Sequence, residues 1–288
     1  WLLVHLLVLG AATNAIVTWS AHFASAMLQQ PPLPAPLTLA RLVALNVAVV
    51  GVLVGVSEGW RGSIIASAGL LALVLAVHLG TLVRTVHGGR ARRFATTIRF
   101  YWAAAGSVLL GIAAGVTLTV GNVSPVWYER IYLAHVHLGL LGWVGLTVLG
   151  TEFTLWPTAL RTRMVAGLER AAIWCLLACS SGLALVIAGL LSWLRPLAVA
   201  GVIFYLAGVV VFAVPFVRTA ARRAPHEPAT VMLAASTGWL LAGLVVDAAR
   251  LADATDPYAL AGDIAALVPW LVAGFVVQVL LGALSYLV

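Results

Sequence analysis

The 288-residue sequence contains no lysine, only two cysteines and few charged side chains of either sign. Charged residues make up 9% of the chain, whereas soluble domains carry about 25%. This scarcity excludes a soluble enzyme and a nucleic-acid-binding module, because both need a hydrated, charged surface. Both cysteines, Cys175 and Cys179, lie in one apolar segment. They exclude a disulfide scaffold and carry no information about an oxidising compartment.

The chain consists instead of long apolar runs, with 63% hydrophobic residues and a mean hydropathy of +1.09. A run of about 20 apolar residues is long enough to cross the hydrocarbon core of a bilayer as a helix. The sequence therefore predicts an all-α transmembrane protein in contact with the lipid bilayer. Reading hydropathy against Pro and Gly breakers gives nine spans, at 2–28, 37–56, 63–85, 98–120, 131–156, 171–191, 197–217, 230–252 and 264–288.

The arginines predict the orientation of these spans. The loops after spans one, three, five and seven, with their flanks, hold twelve of the sixteen basic residues, namely Arg41, Arg84, Arg90, Arg92, Arg93, Arg99, Arg161, Arg163, Arg170, Arg218, Arg222 and Arg223. The opposite side holds the other four, Arg61, Arg130, Arg195 and Arg250. Because basic loops remain in the cytoplasm, this asymmetry predicts that the loops after spans one, three, five and seven are cytoplasmic. The expected location is a bacterial-type plasma membrane, which the chain crosses several times. The net charge of +7 then reflects topology rather than a nucleic-acid surface.

Trp1 falls on the predicted outer side, and the sequence has no initiator methionine. We expect at least one further helix upstream, in a longer protein.

An internal repeat relates parts of the chain at an offset of 132 residues. Segment 5–10 (HLLVLG) resembles segment 137–142 (HLGLLG), and the same offset takes Gly142 to Gly274. This offset corresponds to a unit of four spans. Because four is an even number, successive units keep the same orientation, so we expect parallel repeats within a 12-helix-type bundle. The predicted units are 1–121, 130–252 and the first helix of a third at 264–288.

Histidine is the first candidate for chemistry in the membrane, because neutral imidazole is cheaper to bury than a full charge and is a common metal ligand. Five histidines fall in predicted spans. His5, His135 and His137 lie near the outer ends, whereas His22 and His78 lie near the cytoplasmic ends. The seventeen residues from His5 to His22 correspond to about 25 Å of helix. One mononuclear site that uses all five is therefore excluded, and an outer and an inner site remain.

His135 and His137 point to different sides of span five, since two residues are about 200° apart around a helix. Only one of them can face a given cofactor. His137 is favoured because it aligns with His5 in the repeat, and His135 is left to bind a neighbouring group or to cap the interface. The alternative for any of these histidines is a polar residue hydrogen-bonded between helices.

Three further polar residues could form a proton or polar relay: Glu152, Asn14 and Asp247. Glu152 could take protons, pair with an arginine, serve a metal or remain a buried structural acid. Asn14 is expected to form an interhelical hydrogen bond. Asp247 and Arg250 are spaced i, i+3, which predicts an ion pair within one helix.

Small and aromatic residues also have two interpretations. Cys175 and Cys179 share a helix face and could hold Cu(I), although small packing residues explain them as well. The span-five glycines, Gly139, Gly142, Gly145 and Gly150, would admit either a neighbouring helix or a flat macrocycle. Most of seven tryptophans lie near span ends and interfacial anchoring is the default expectation for them, namely Trp19, Trp60, Trp127, Trp143, Trp156, Trp193 and Trp270.

The segment Ala134-His135-Val136-His137-Leu138-Gly139-Leu140-Leu141-Gly142-Trp143, with Gly150 and Trp156-Pro157 after it, resembles the heme-copper oxidase superfamily. The likeness is to the histidine-bearing helix of its nitric oxide reductase and C-type oxidase branches. The chain is also similar to the twelve-helix NnrS family of heme- and copper-containing proteins. Segments 5–28 and 137–163 resemble the membrane region that precedes cupredoxin domains in some multicopper oxidase or nitrite reductase-like proteins.

This resemblance implies that His137, His5 or His135 ligate b-type heme or copper on the outer half of the membrane. It also implies three four-helix units and an extracytoplasmic cupredoxin domain in the same or a partner chain. Two departures matter: the first helix of the third unit has no histidine, and no adjacent His-His pair exists. A terminal oxidase site is therefore not supported.

The leading hypothesis is a membrane redox module that binds b-type heme, copper or both. It would exchange electrons with a copper domain of the nitrite, nitric oxide or oxidase type. If the protein is an enzyme, it is an oxidoreductase. A transporter of copper or another small solute, lined by Cys175, Cys179, Glu152 and the histidines, is one alternative. A structural anchor without a cofactor is the other.

Overall fold

The computed structural model describes residues 1–88 and 94–287 of the chain, and this part contains helices and no strand. Nine helices within it are long and apolar enough to cross a membrane, so the predicted number of spans is confirmed. They are α1 (Leu2–Met27), α2 (Ala35–Glu58), α3 (Arg61–His87), α4 (Ala95–Val120), α5 (Pro125–Ala159), α6 (Leu168–Ser192), α7 (Arg195–Arg222), α8 (Pro228–Asp253) and α9 (Pro257–Leu287). Arg90, Arg92 and Arg93 of the orientation prediction lie outside the described residues.

The largest differences from the predicted spans occur where α5 and α9 begin, six and seven residues earlier than the hydropathy indicated. In both helices a proline occupies the first turn, where its missing N–H costs no hydrogen bond and its fixed φ favours the helix. Asp256 caps α9 by accepting hydrogen bonds from the backbone N–H groups of Tyr258 and Ala259. Charged residues follow these first turns, Glu129 and Arg130 in α5 and Asp263 in α9, and they interrupt the apolar runs that hydropathy detects.

Helix α5 forms the centre of the bundle. In its most apolar stretch 83% of the residues are buried, against 17–44% in the other eight helices. It contacts α1, α4, α6, α7, α8 and α9. A helix that is apolar on all sides must be enclosed by neighbours or by lipid, and α5 is enclosed by neighbours.

Glycines bring two of the helices close together. Helices α6 and α7 pack along their lengths, and a Cβ added at Gly182 would lie 2.6 Å from the carbonyl oxygen of Gly201. Added at Gly208, it would lie 2.5 Å from the sulfur of Cys179. Small residues of this kind allow backbones in a membrane to approach and pack.

Three of the nine helices contain a π-helical segment: Leu6–Ala12 in α1, Leu138–Gly145 in α5 and Val272–Val277 in α9. The starts of these segments are 132 and 134 residues apart. The segment in α1 contacts those in α5 and α9. Segments of π-helix are rare and are often found at functional sites, so the interior of the bundle next to them is the first place to look for a site.

Candidate functional site

A cavity of about 540 Å³ lies next to the π-helical segments, towards the end of the bundle where Trp1 is located, here called the Trp1 end. Helices α1 to α5 and α9 all contribute lining residues, and the walls are mostly apolar. The exposed residues Trp1 and Tyr128 are among them, so the cavity reaches the surface. Its volume lies within the range of about 300–1,000 Å³ that is usual for small-molecule and cofactor sites.

Two histidines line this cavity side by side, His5 from α1 and His135 from α5. Their ring centroids are 6.1 Å apart and their planes differ by 15°. The two rings are therefore close enough to contact one bound group in the cavity. We call this space the His5–His135 cavity.

Hydrogen bonds define which nitrogen of each ring is free. His5 Nδ1 lies 3.1 Å from the carbonyl oxygen of Trp1, and His135 Nδ1 lies 2.9 Å from that of Gly111. A carbonyl can only accept, so each Nδ1 carries the ring proton and donates it. In the neutral imidazole, Nε2 is then left with its lone pair. Metal-binding histidines nearly always have this arrangement, with the second ring nitrogen oriented by a carbonyl or a carboxylate.

Glycines keep parts of the cavity wall free of side chains. A Cβ added at Gly139 would meet no atom within 4 Å, whereas at Gly115 it would lie 3.2 Å from His135 Cε1. The other span-five glycines behave differently. A Cβ at Gly142 would lie 2.5 Å from Ser107, and one at Gly150 would lie 2.5 Å from Phe100. Of these three span-five glycines, Gly139 alone borders open space.

Sequence reasoning missed the part that Trp143 plays in this wall. Its indole Nε1 donates a 2.9 Å hydrogen bond to Thr13 Oγ1, which in turn donates to the carbonyl oxygen of Val8. Trp143 is almost fully buried, so the expectation of an interfacial anchor is wrong for this residue, and also for the buried Trp156. A tryptophan in the middle of a span was the available signal, because interfacial anchors lie at span ends.

His137 lies on another side of α5 and pairs with Asp247 of α8. Its Nδ1 donates to the carbonyl oxygen of Leu133 at 2.7 Å, and its Nε2 lies 3.1 Å from Asp247 Oδ2. Both side chains are buried. Because Nδ1 already carries a proton, Nε2 and the carboxylate share a second one, and both ring nitrogens are engaged. The structure therefore brings His5 together with His135, and His137 together with Asp247.

The predicted ion pair between Asp247 and Arg250 is wrong. Arg250 Nη1 lies 3.7 Å from Asp263 Oδ1 of α9, and both of these side chains are largely exposed. Asp247 faces the interior and Arg250 the surface, because a long guanidinium side chain can extend to the polar boundary while a short carboxylate cannot.

His78 and His22 do not meet. His78 is buried, with Nδ1 accepting from Arg41 Nη1 at 3.2 Å and Nε2 placed 3.0 Å from Ser20 Oγ. Since arginine can only donate, Nε2 carries the proton and donates to Ser20. His22 is two residues beyond Ser20, about 200° around the helix, and is exposed beside Trp19 and Phe23.

The other polar residues are placed as follows. Asn14 and Asn46 exchange hydrogen bonds of 3.2 and 2.9 Å between α1 and α2, which is the interhelical bond expected of Asn14. Glu152 is buried in α5, and its Oε2 lies 3.2 Å from Thr237 Oγ1 of α8. Within the described part of the chain, no arginine forms an ion pair with it.

Cys175 and Cys179 are fully buried, with their sulfur atoms 3.9 Å apart. Cys179 lies against Gly208 at the contact between α6 and α7. Among the residues that the structure describes, no three His, Cys, Asp or Glu side chains gather into a metal-binding group. A metal in the His5–His135 cavity would thus have two protein ligands. Compared with models of known families, with curated proteins and with solved structures, the chain matches none of them.

Proposed function

We propose that the protein is a membrane redox module that holds a b-type heme between His5 and His135. The observation that carries this proposal is the pair of nearly parallel rings, 6.1 Å apart, with both Nδ1 atoms bound to backbone carbonyls. Each Nε2 then keeps its lone pair and would be free to bind a metal in the cavity. A bound heme would supply reversible one-electron transfer at its iron.

The chain's own residues would have three tasks in this site. His5 and His135 would bind the metal through Nε2, while the carbonyl oxygens of Trp1 and Gly111 hold the rings in orientation. Gly139 leaves space for a flat ring system. Apolar lining residues such as Val8, Val108 and Leu140 exclude water.

Copper is the second candidate, because imidazole nitrogen is a ligand that suits copper. The size of the cavity favours heme, since a single ion with two ligands does not need about 540 Å³. We therefore rank heme first and copper second.

We further propose that the Trp1 end faces outwards and that the module exchanges electrons with an extracytoplasmic copper partner domain. The arginine asymmetry supports the orientation, and the sequence resemblance is the support for the partner. The π-helical segments, whose starts are 132 and 134 residues apart, support the proposal of two four-helix units and the first helix of a third within a 12-helix-type bundle.

Reconstitution with hemin tests the proposal. The purified protein should bind one heme per chain and develop a Soret band, and His5→Ala and His135→Ala should each weaken heme binding at least tenfold. His22→Ala is the matched control, because His22 is a span histidine outside the cavity and should not change binding. Binding of one Cu(I) without heme would favour the second candidate. Binding of neither, or equal loss in the control, would contradict both.

A further inference from the structure

A second cavity contains buried polar atoms that have no partner. It measures about 80 Å³ and lies between α1, α5 and α9. Two of its lining residues, Glu152 and Thr147, each have a buried oxygen, Oε1 and Oγ1 respectively, with no hydrogen-bond partner among the described residues. A buried polar atom left unpaired costs about 1–3 kcal/mol, so two such atoms in one cavity indicate that something binds there. We call this space the Glu152 cavity.

Its size indicates water rather than an organic molecule. An apolar cavity of about 150 Å³ holds benzene, whereas one water needs about 10–15 Å³. At about 80 Å³ the Glu152 cavity is too small for a six-membered ring and large enough for several waters. The wall is mostly apolar, and Glu152 Oε1 and Thr147 Oγ1 are the lining oxygens left without a partner, so water in this cavity would bind to these two atoms.

The donor set indicates a proton rather than a metal cation. Hard cations take six or more oxygen ligands, whereas the other lining residues are mostly apolar. Among the described residues, no charged side chain besides Glu152 lines the cavity. On the neighbouring elements, His78 lies behind Ser20, Thr237 of α8 contacts Glu152, and Tyr101 of α4 contacts Thr151. The α9 residues of the lining are all apolar.

The contact with Thr237 is consistent with a protonated acid. Thr237 Oγ1 lies 3.2 Å both from Glu152 Oε2 and from the carbonyl oxygen of Leu233. A hydroxyl has one proton, and when Thr237 donates it to the carbonyl, Glu152 completes the contact only by donating a proton of its own. An unpaired carboxylate buried among apolar groups would be far more costly than the neutral acid.

We propose that the Glu152 cavity is a water-filled proton-binding site, in which the Glu152 carboxyl carries the proton and bonds, with Thr147, to the enclosed water. The site is separate from the His5–His135 cavity, because Glu152 is seventeen residues beyond His135, about 25 Å along α5. It does not depend on the cofactor proposed above.

Infrared difference spectroscopy of the protein in lipid vesicles tests this site, by comparison of wild type with variants and of samples in H2O with samples in D2O. We expect a C=O stretching band of a protonated carboxylic acid that shifts in D2O and disappears in Glu152→Gln. Thr147→Val should shift the band and keep it. Glu58→Gln changes an exposed acid and should leave it unchanged, and Asp247→Asn identifies any contribution from the other buried acid.

Two outcomes would overturn the proposal. A spectrum of Glu152→Gln identical to that of the wild type would show an ionised carboxylate, and a band insensitive to D2O would show a dry cavity. If Glu152→Gln does not fold, dicyclohexylcarbodiimide provides the second measurement, since it reacts with protonated carboxyls. Mass spectrometry of the wild-type protein should then find the label on Glu152, and an unlabelled Glu152 would contradict the proposal.

Discussion

His137 Nε2 lies 3.1 Å from Asp247 Oδ2, and this contact joins α5 to α8 inside the bundle. Both side chains are buried, and His137 Nδ1 is bonded to the carbonyl oxygen of Leu133. A small apolar cavity of about 20 Å³ borders the pair. The pair therefore has the features of a structural connection, whereas His5 and His135 each use only Nδ1 in a hydrogen bond within the described residues.

Removal of one member of the pair should destabilise the fold. His137→Ala or Asp247→Ala leaves the other group buried and unpaired, and we expect a loss of about 3–5 kcal/mol in the free energy of unfolding. The double variant should lose less than the sum of the two single variants. Denaturant titration in detergent micelles measures all three. Single losses below about 1 kcal/mol, or full additivity, would contradict a direct pairing.

Gly139 and Gly142 form a matched pair for testing the cavity wall. Gly142→Ala places a Cβ 2.5 Å from Ser107 and should cost about 1–3 kcal/mol through overpacking. Gly139→Ala meets open space and should change stability by no more than about 1 kcal/mol, in the stabilising direction, because alanine is the better helix former.

Gly139→Leu extends the same test to cofactor binding. It should keep the protein folded but fill the cavity and weaken heme binding at least tenfold, as measured by hemin titration. Unchanged binding in Gly139→Leu would show that the cavity is not where the cofactor lies.

The start of α9 should depend on pH through Asp256, which lies outside the spans. Hydrogen bonds from the N–H of Ala259, the hydroxyl of Thr255 and the N–H of Tyr258 lower the pKa of the Asp256 carboxyl. The folded-state pKa is below the unfolded one, so the stabilisation is present above the unfolded pKa. It is lost as pH falls through the folded pKa.

Asp256→Ala should accordingly lower the melting temperature at neutral pH and have less effect in acid. Asp256→Asn retains a cap and should remove the pH dependence while keeping most of the stability. Thermal unfolding of the three proteins at several pH values checks this. A difference between wild type and Asp256→Ala that does not shrink in acid would argue against the cap.

The nine spans could be predicted because hydropathy and length determine which segments can cross a bilayer. The starts of α5 and α9 could not, since Pro125 and Pro257 initiate those helices ahead of charged residues at which the apolar runs are interrupted. Asp247 was assigned to Arg250 because sequence spacing reports neighbours on one helix only. Its actual partner, His137, comes from another helix 110 residues away.

The candidate site was predicted in its residues but not in their pairing. The sequence identified His5, His135 and His137 at similar depth, and the repeat favoured His137 as the partner of His5. Repeat alignment reports equivalent depth, whereas contact depends on the direction in which each side chain points. The carbonyl of Gly111 orients His135 towards the cavity, and such a contact between helices cannot be read from spacing. The contribution of Trp143 and Thr13 was missed for the same reason.

Electron paramagnetic resonance of the oxidised, heme-loaded protein tests the central claim most directly, because it reports the number of histidines on the iron. Ligation by both His5 and His135 predicts a low-spin signal in the wild type. Loss of one ligand in His135→Ala should convert the signal to high spin, and His137→Ala should leave it low spin. A wild-type signal that is high spin, or a conversion in His137→Ala with none in His135→Ala, would contradict the account.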